Sequence, residues 1–272
     1  MSKSIPVAVH GAAGRMGRAV VDVLRTRDDL HLVAALVRSG TAAATSSKHD
    51  ASSSKHDASD IVCSEALGSD IAAAVLIDFS GAGAFDRVLE LALERRIALV
   101  SGTTGLDARQ RAAIERASSD IPLLWSANFS LGVALLSKLV ADAARALPQW
   151  DCEIAEAHHR YKQDAPSGTA LALGREVAAA RGVDFESVAK RSRIGEHVPR
   201  ADGEIGFAVT RAADIVGEHR VLFATAGECI ELSHRASDRA IFARGAVAAA
   251  RWIAGRAPGL YRIGDVVAAE PQ

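Results

Sequence analysis

The sequence predicts an α/β protein in two parts: a parallel α/β domain, then an α+β domain with a mixed or antiparallel sheet. Three observations lead there. Short apolar runs alternate with helically spaced segments from residue 5 to about residue 130. A glycine-rich turn joins the first run to the first helix. Beyond Phe129, strand-like segments follow one another without regular helices between them.

IPVAV at 5–9 is a short apolar strand that runs into His10 and Gly11. GRMGRAVVDVLRTRDDL then shows helical spacing through Val20, Val21 and Leu24. HLVAALV (31–37) is a second strand, followed by a long polar stretch. AAAVLIDFS (72–80), a helix pattern through Leu93, IALVSGTTG (97–105), another helix pattern and IPLLWSANFS (121–130) continue the alternation. After Phe129 come a helix at 131–147, the strand DCEIAEAHH and a helix in PSGTALALGREVAAARG that stops at Gly182. EIGFAVTRA, IVGEHRVLFAT and ECIELSHRA read as strands of a mixed or antiparallel sheet, and AIFARGAVAAARWIAG as a last helix with an apolar face.

At 272 residues, 49% of them hydrophobic, the chain can build one large or two modest domains. With 32 basic and 33 acidic residues there is no electrostatic footprint for nucleic acid or an anionic membrane, so a small-molecule partner is expected. Cys63, Cys152 and Cys229 are widely spaced and read as reduced thiols. No signal-type run opens the chain, and no stretch of about eighteen uninterrupted apolar residues occurs. These features predict a cytoplasmic protein without a membrane span. The polar stretch holds an identical tandem duplication, SSKHDAS at 46–52 and 53–59. His49, Asp50, His56 and Asp57 there can be imagined around a metal, but a serine-rich segment without apolar anchors reads as a surface loop.

GAAGRMG (11–17) sits between first strand and first helix, where backbone N–H groups at a helix start can cradle a pyrophosphate. It is GxxGxxG, with Ala13 in place of the middle glycine of the strict fingerprint. A tight strand-to-helix turn is the plainer reading. Its place in the first βα unit favours a dinucleotide site formed by Gly11, Ala12, Ala13, Gly14, Arg15 and Met16. The second strand ends LVRSG: Val37 stands where an acid would bind ribose hydroxyls, while Arg38 and Ser39 suit a 2′-phosphate. NADPH is therefore expected over NADH, with NADH possible, unless Arg38 is simply a solvated strand-end charge. Later strands also end in small or polar groups: Asp78-Phe79-Ser80, Gly102-Thr103-Thr104-Gly105 and Ser126-Ala127-Asn128-Phe129. Cofactors of open α/β sheets bind at such ends.

The densest chemistry lies in EAHHRYKQDAPSGTA (156–170). Pro166 suits the first turn of the following helix, so the N–H groups around Ser167, Gly168 and Thr169, with two hydroxyls, would form a carboxylate pocket. Asp164 would cap that helix or orient a neighbour. His158 and Lys162 are four apart, a spacing that brings both to one side of a helical turn and in a compact loop still allows convergence; they would supply a proton near neutral pH and a cation to offset developing negative charge. His159 would bind substrate from another side. Adjacent histidines can also ligate a metal or close a strand end. No third ligand of recognisable spacing accompanies them, and Lys162 brings a cation close, so no metal is expected.

GAAGRMGR, LIDFS, SGTTG, ANFSLGV, EAHHRYKQDAPSGTA, RAADIVGEH and SHRAS followed by FARGAV stand in one order along the whole chain. In this the sequence resembles the 4-hydroxy-tetrahydrodipicolinate (dihydrodipicolinate) reductases of the diaminopimelate route to lysine. The resemblance implies a Rossmann-like dinucleotide-binding domain of residues 1–129, completed by 239–272. It implies a substrate-binding and tetramerisation domain of residues 130–238, and hence a homotetramer acting on a small dicarboxylate. It also implies roles: His158 as proton donor and Lys162 as second catalytic residue. His159, Ser167, Gly168 and Thr169 would serve the substrate's carboxylates, and the glycine turn, Gly102 to Thr104 and Ser126 to Phe129 the cofactor. Another two-domain NAD(P) oxidoreductase with a different acid–base pair is the competing enzyme. A dinucleotide-sensing regulator would need a basic DNA-reading element that the sequence does not display.

Overall fold

The first apolar run becomes β1 (Ile5–His10), an inner strand of a seven-stranded sheet. The computed structural model describes residues 4–37, 63, 64 and 66–268. They divide into two units, Met1–Phe129 with Ala240–Gln272, and Ser130–Arg239.

In the first unit, β1 leads through the glycine turn into α1 (Arg15–Arg25) and on to β2 (Leu30–Leu36) and the two-residue β3 (Cys63–Ser64). β4 (Val75–Asp78), α2 (Ala82–Arg95), β5 (Ala98–Ser101), α3 (Ala108–Ala117) and β6 (Pro122–Trp125) continue the alternation. The last part of the chain adds α7 (Ala240–Ile253), β12 (Gly259–Tyr261) and α8 (Ile263–Ala268). Every pairing is parallel, in the order β12-β6-β5-β4-β1-β2-β3. Strand order reverses between β1 and β4, the switch point at which ligands of doubly wound sheets bind.

Both faces of this sheet are buried, which explains its uninterrupted apolar runs. Val7, Val9, Val75, Ile77 and Val100 pack with α1 and α7, whereas Ala8, Leu76, Leu99 and Leu123 pack with α2 and α3. α3 starts with a reciprocal capping box between Asp107 and Gln110. The strands are shorter than the runs that predict them, because the polar residues at their ends turn away to form loops.

The second unit contains α4 (Leu131–Ala146), β7 (Asp151–His158), α5 (Gly168–Arg181), the single turn α6 (Phe185–Val188) and β8 (Ala189–Lys190). β9 (Ile205–Arg211), β10 (Gly217–Thr225) and β11 (Glu228–Ala236) complete it. Its sheet runs β11-β10-β7-β9-β8 and is mixed: β10 pairs antiparallel with β7 and β11, while β9 pairs parallel with β7 and β8. Cys152 and Ile154 of β7, Ile205 and Phe207 of β9, and Val221 and Phe223 of β10 form a core with α4 and α5. Burial raises the Cys152 thiol to about 12, so it is an inert core residue. No helix among the described residues is long and apolar enough to cross a membrane.

Gly17 shows how tightly α1 seats on the turn before it. A Cβ there would lie 2.1 Å from the carbonyl oxygen of Gly11, whereas one at Gly83 in α2 would meet nothing within 4 Å. Gly17→Ala is therefore expected to destabilise the protein by about 1–3 kcal/mol. Gly83→Ala is expected to be neutral or stabilising by up to about 1 kcal/mol. Denaturant unfolding of both variants checks this, and equal stabilities would contradict it.

Candidate active site

β7 carries the centre of the site. Its two-residue period sends Cys152, Ile154, Glu156 and His158 to one buried face, so the apolar core grades into a polar end. The Glu156 side chain is fully buried. His158 places Nδ1 2.6 Å from Glu156 Oε2. Arg211, at the end of β9 and directly beside His158 in the register, donates from its two terminal nitrogens to the two Glu156 oxygens, each at 2.8 Å. The Ser167 amide donates to Glu156 Oε1 at 2.9 Å.

Burial alone would raise the Glu156 carboxyl, but the bonds from Arg211, His158 and Ser167 outweigh it and hold the group below its ordinary range. Glu156 is an anion. For His158 the balance is reversed: burial, the largest influence, lowers it, and together with the charges of Lys162 and Arg211 outweighs the raising effect of Glu156. The resting ring is neutral at pH 7.

His219 of β10 stands edge-on to His158, with ring centroids 5.1 Å apart, and its Nε2 lies 3.0 Å from Ser167 Oγ. On the turn after β7, Lys162 Nζ lies 2.7 Å from Asp164 Oδ1, and Asp164 Oδ2 accepts from the Gly168 amide at 3.2 Å. Asp164 thus serves both purposes expected of it. His159 is half-buried, its ring tilted towards Tyr161. Thr169 lies in the first turn of α5.

Three expectations change or narrow here. Pro166 is not in the first turn of the helix, since Ser167 is the N-cap and α5 begins at Gly168. The Ser167 and Gly168 amides are held by Glu156 and Asp164, and the Ser167 hydroxyl caps α5 by accepting from the Ala170 amide. Ser167, 1% exposed, therefore builds the site from beneath rather than lining it. Finally, of the helical turn and the compact loop that the spacing of His158 and Lys162 allows, the structure has the second, a strand end and a turn.

The first unit collects its polar ends around Asp78, also fully buried. It accepts from Ser80 and His10 at one oxygen and from the hydroxyls of Ser101 and Thr103 at the other, tying together the ends of β1, β4 and β5. Asp78 and the Thr103 hydroxyl were expected at a ligand-facing edge; the structure uses them internally, and only Thr104 of the pair is exposed. The Gly11 and Ala12 amides donate to the Leu36 carbonyl, and Gly14 donates to Gly11. Of the turn expected to cradle a pyrophosphate, the start of α1 remains, where Arg15, Met16 and Gly17 follow an N-cap glycine that makes no side-chain cap.

Close backbone approach is preserved. Gly11 has φ +78°, and a Cβ at Gly102 would fall inside the Phe79 ring. Ser126 bonds to the Asn128 backbone, Ala127 is exposed, and Phe129 is a core residue packed edge-on to Phe79. Val37 is buried in the core. Arg38, Ser39 and the SSKHDAS duplication lie outside the described residues. An uncapped helix start beside close-approach glycines fits a dinucleotide. Among the described residues no group of three or more His, Cys, Asp or Glu can hold a metal ion.

Glu156, Arg211 and His219 were not singled out from sequence. Glu156 had a readable signal, since it stands two residues before His158 on a strand. Arg211 and His219 are the first and last residues of RAADIVGEH, one of the segments that carry the resemblance, but their meeting with Glu156 and His158 comes through strand register across long sequence separations, which the segment itself does not reveal.

Burial, with the neighbouring His158, pushes His219 down to about 4 from 6.5. Between those pH values the unfolded chain binds a proton that the folded protein refuses. Stability is therefore complete above about pH 6.5 and falls towards pH 4, by up to about 3 kcal/mol from this residue. His158 and His234, also held low by burial, act in the same direction. His219→Gln is expected to flatten this slope in denaturant unfolding, and an unchanged slope would contradict the assignment.

Residues 5–129 match the family model "Dihydrodipicolinate reductase, N-terminus" and residues 132–267 its C-terminal counterpart. A 4-hydroxy-tetrahydrodipicolinate reductase of Alkalilimnicola ehrlichii is 47% identical over 263 residues, covering 96% of this chain and 98% of its own. One from Xanthomonas campestris pv. campestris is 46% identical over 264 residues, covering 97% and 98%. Among solved structures, the dipicolinate-bound dihydrodipicolinate reductase of Paenisporosarcina sp. TG-14 superposes with a TM-score of 0.76. It is 24% identical and covers 96% of this chain and 98% of its own, a likeness of fold. Two matched models spanning nearly all of the chain, with relatives of this identity, establish that the chain belongs to the dihydrodipicolinate reductase family.

Proposed function

We propose that the protein reduces 4-hydroxy-tetrahydrodipicolinate to tetrahydrodipicolinate with loss of water, using a reduced nicotinamide dinucleotide, in the diaminopimelate route to lysine. The observation that carries this reading is the polar end of the second sheet. There a neutral, carboxylate-bonded His158, a lysine and a helix N-terminus belong to one short segment.

When bound, the reduced nicotinamide supplies the hydride that goes to ring C4 of the substrate. Gly11, the start of α1, Gly102 to Thr104 and Ser126 to Phe129 are the residues that would hold and orient it. His159, Gly168 and Thr169 bind the substrate's carboxylates, with Ser167 fixing the helix start beneath them. Lys162 is the mobile cation. Its partner Asp164 has a side chain 55% exposed, so a substrate carboxylate competes for the ammonium on nearly equal terms with solvent and Asp164. His158 protonates the carbon next to C4. A bound dianion raises the proton affinity of a ring that is otherwise neutral, so the acid is charged when the substrate is present.

NADPH is the preferred nucleotide in this reading, because Arg38 follows the strand that ends in apolar Val37. NADH is the poorer alternative. The substrate domain spans about residues 130–238, and the protein assembles as a cytoplasmic homotetramer. α4 and α5 pack on the face of the second sheet that carries Ile154 and Phe207, and the register sends Ala155, Ala157 and Ala208 to the opposite face, available for self-association.

The test is oxidation of NADPH, and separately NADH, with substrate generated in place from pyruvate and aspartate semialdehyde by the condensing enzyme. Substrate-dependent oxidation is expected; none with either nucleotide would overturn the reading. His158→Ala and Lys162→Ala are each expected to lower kcat by about 10²-fold or more while leaving NADPH affinity nearly intact. Parallel loss of nucleotide affinity would contradict this division of labour. Arg38→Ala is expected to weaken NADPH more than NADH, and equal weakening would remove Arg38 as the phosphate reader.

A further inference from the structure

We propose that Glu156 and Arg211 are positioning residues for the proton donor: together they fix His158 in the tautomer that carries hydrogen on Nδ1, leaving Nε2 as the atom that delivers the proton. The proposal rests on the reading of His158 as general acid.

An ionised carboxylate only accepts hydrogen bonds, so the 2.6 Å contact requires the Nδ1 hydrogen of His158 to point at Glu156. The carboxylate cannot swing away. Arg211 grips both oxygens, the Ser167 amide holds one of them, and Arg211 is itself tied to the Asp164 carbonyl at 2.6 Å. The ring cannot turn over either. A Cβ at Gly217 would lie 3.0 Å from His158 Nε2, so the backbone of β10 closes one side, and His219 closes another edge-on. Gly217 is the residue that lets the imidazole lie this close to β10.

Charge explains why both partners are needed. Glu156 stabilises imidazolium, and on its own would keep His158 protonated after the proton should have left. Arg211 offsets that field and keeps the ring able to cycle. The other groups acting on the ring are Lys162 from the turn after β7 and uncharged His219 from β10, which packs edge-on to it. In the cycle, Nε2–H gives its proton to the substrate carbon. The ring returns to the neutral form with hydrogen on Nδ1, and Nε2 recovers a proton from solvent. Glu156 stays ionised throughout, as the orienting carboxylate does in carboxylate–histidine pairs generally.

The experiment compares Glu156→Gln and Arg211→Gln in the full chain. The His158 titration midpoint is read from its ring C–H signal by NMR without ligands, the signal being assigned by its loss in His158→Asn. The pH dependence of kcat and of kcat/KM with NADPH is measured alongside. Glu156→Gln is expected to move the His158 midpoint to lower pH. It should reduce kcat about 10- to 100-fold, with substrate KM and NADPH affinity changed less than about threefold. Arg211→Gln is expected to move the midpoint to higher pH.

Opposite displacements show that both charges act on the ring, and the fall in kcat at nearly unchanged KM and nucleotide affinity is what a merely structural pair would not produce. Should Glu156→Gln fail to fold, Glu156→Asp serves in its place: it keeps the charge, so the midpoint stays near wild type while kcat falls through lost reach. Unmoved midpoints in Glu156→Gln and Arg211→Gln, displacement in the same direction in both, or an unchanged kcat in Glu156→Asp where it replaces Glu156→Gln, overturn the proposal. Opposite displacements in a protein that oxidises neither nucleotide would leave the positioning intact and sink the substrate reading instead.

Discussion

A buried carboxylate is the constraint on which the polar end of the second unit depends. Removing an ion such as Glu156 from water costs several kcal/mol unless its oxygens are filled by donors. Here they are filled from three elements: His158 of β7, Arg211 of β9 and the amide at the start of α5. Each donor is thereby held in place, and the strand end, the neighbouring strand and the helix N-terminus adopt one geometry. The turn bearing Lys162 and Asp164 joins the same network through the Asp164 carbonyl.

The first unit uses the same device for a different purpose. Asp78, at the end of β4, gathers His10, Ser80, Ser101 and Thr103, and so fixes the loops after three adjacent strands of the parallel sheet. Burial opposes its ionisation, but the combined hydrogen bonds hold it below the ordinary carboxylate range. In both units, then, the groups that define a binding edge are one layer away from it. The residues left facing outward are backbone amides at helix starts, small glycines and a few side chains that are free to exchange partners.

This arrangement explains what could be read in the sequence. The parallel sheet was legible because burial on both faces demands continuous apolar runs, and IPVAV, AAAVLIDFS and IALVSGTTG supply them. That the second sheet is not parallel throughout was legible from the loss of helices between strands, but the choice between mixed and antiparallel pairing, and the register, were not. β12 and β3 left no trace, since strands of two or three residues have no measurable period. At the site, His158, Lys162 and the PSGT turn stood out because reactive residue types cluster in one segment. The choice of Ser167 as an inward support, Thr103 as an internal donor and Phe129 as core could not be read, because each depends on which side of a loop faces Glu156, Asp78 or Phe79. Arg211, decisive for the charge on Glu156, is brought to it by strand pairing alone.

The account turns on the protonation geometry of one ring. The most direct measurement is the nitrogen-15 spectrum of His158 in the unliganded wild-type protein at pH 8, where the chemical shifts and two-bond couplings of the two ring nitrogens distinguish the tautomers. The account predicts a neutral imidazole with hydrogen on Nδ1 and an unprotonated Nε2. Hydrogen on Nε2 in that neutral ring would mean that Glu156 does not orient the proton donor, and would contradict the account at its centre.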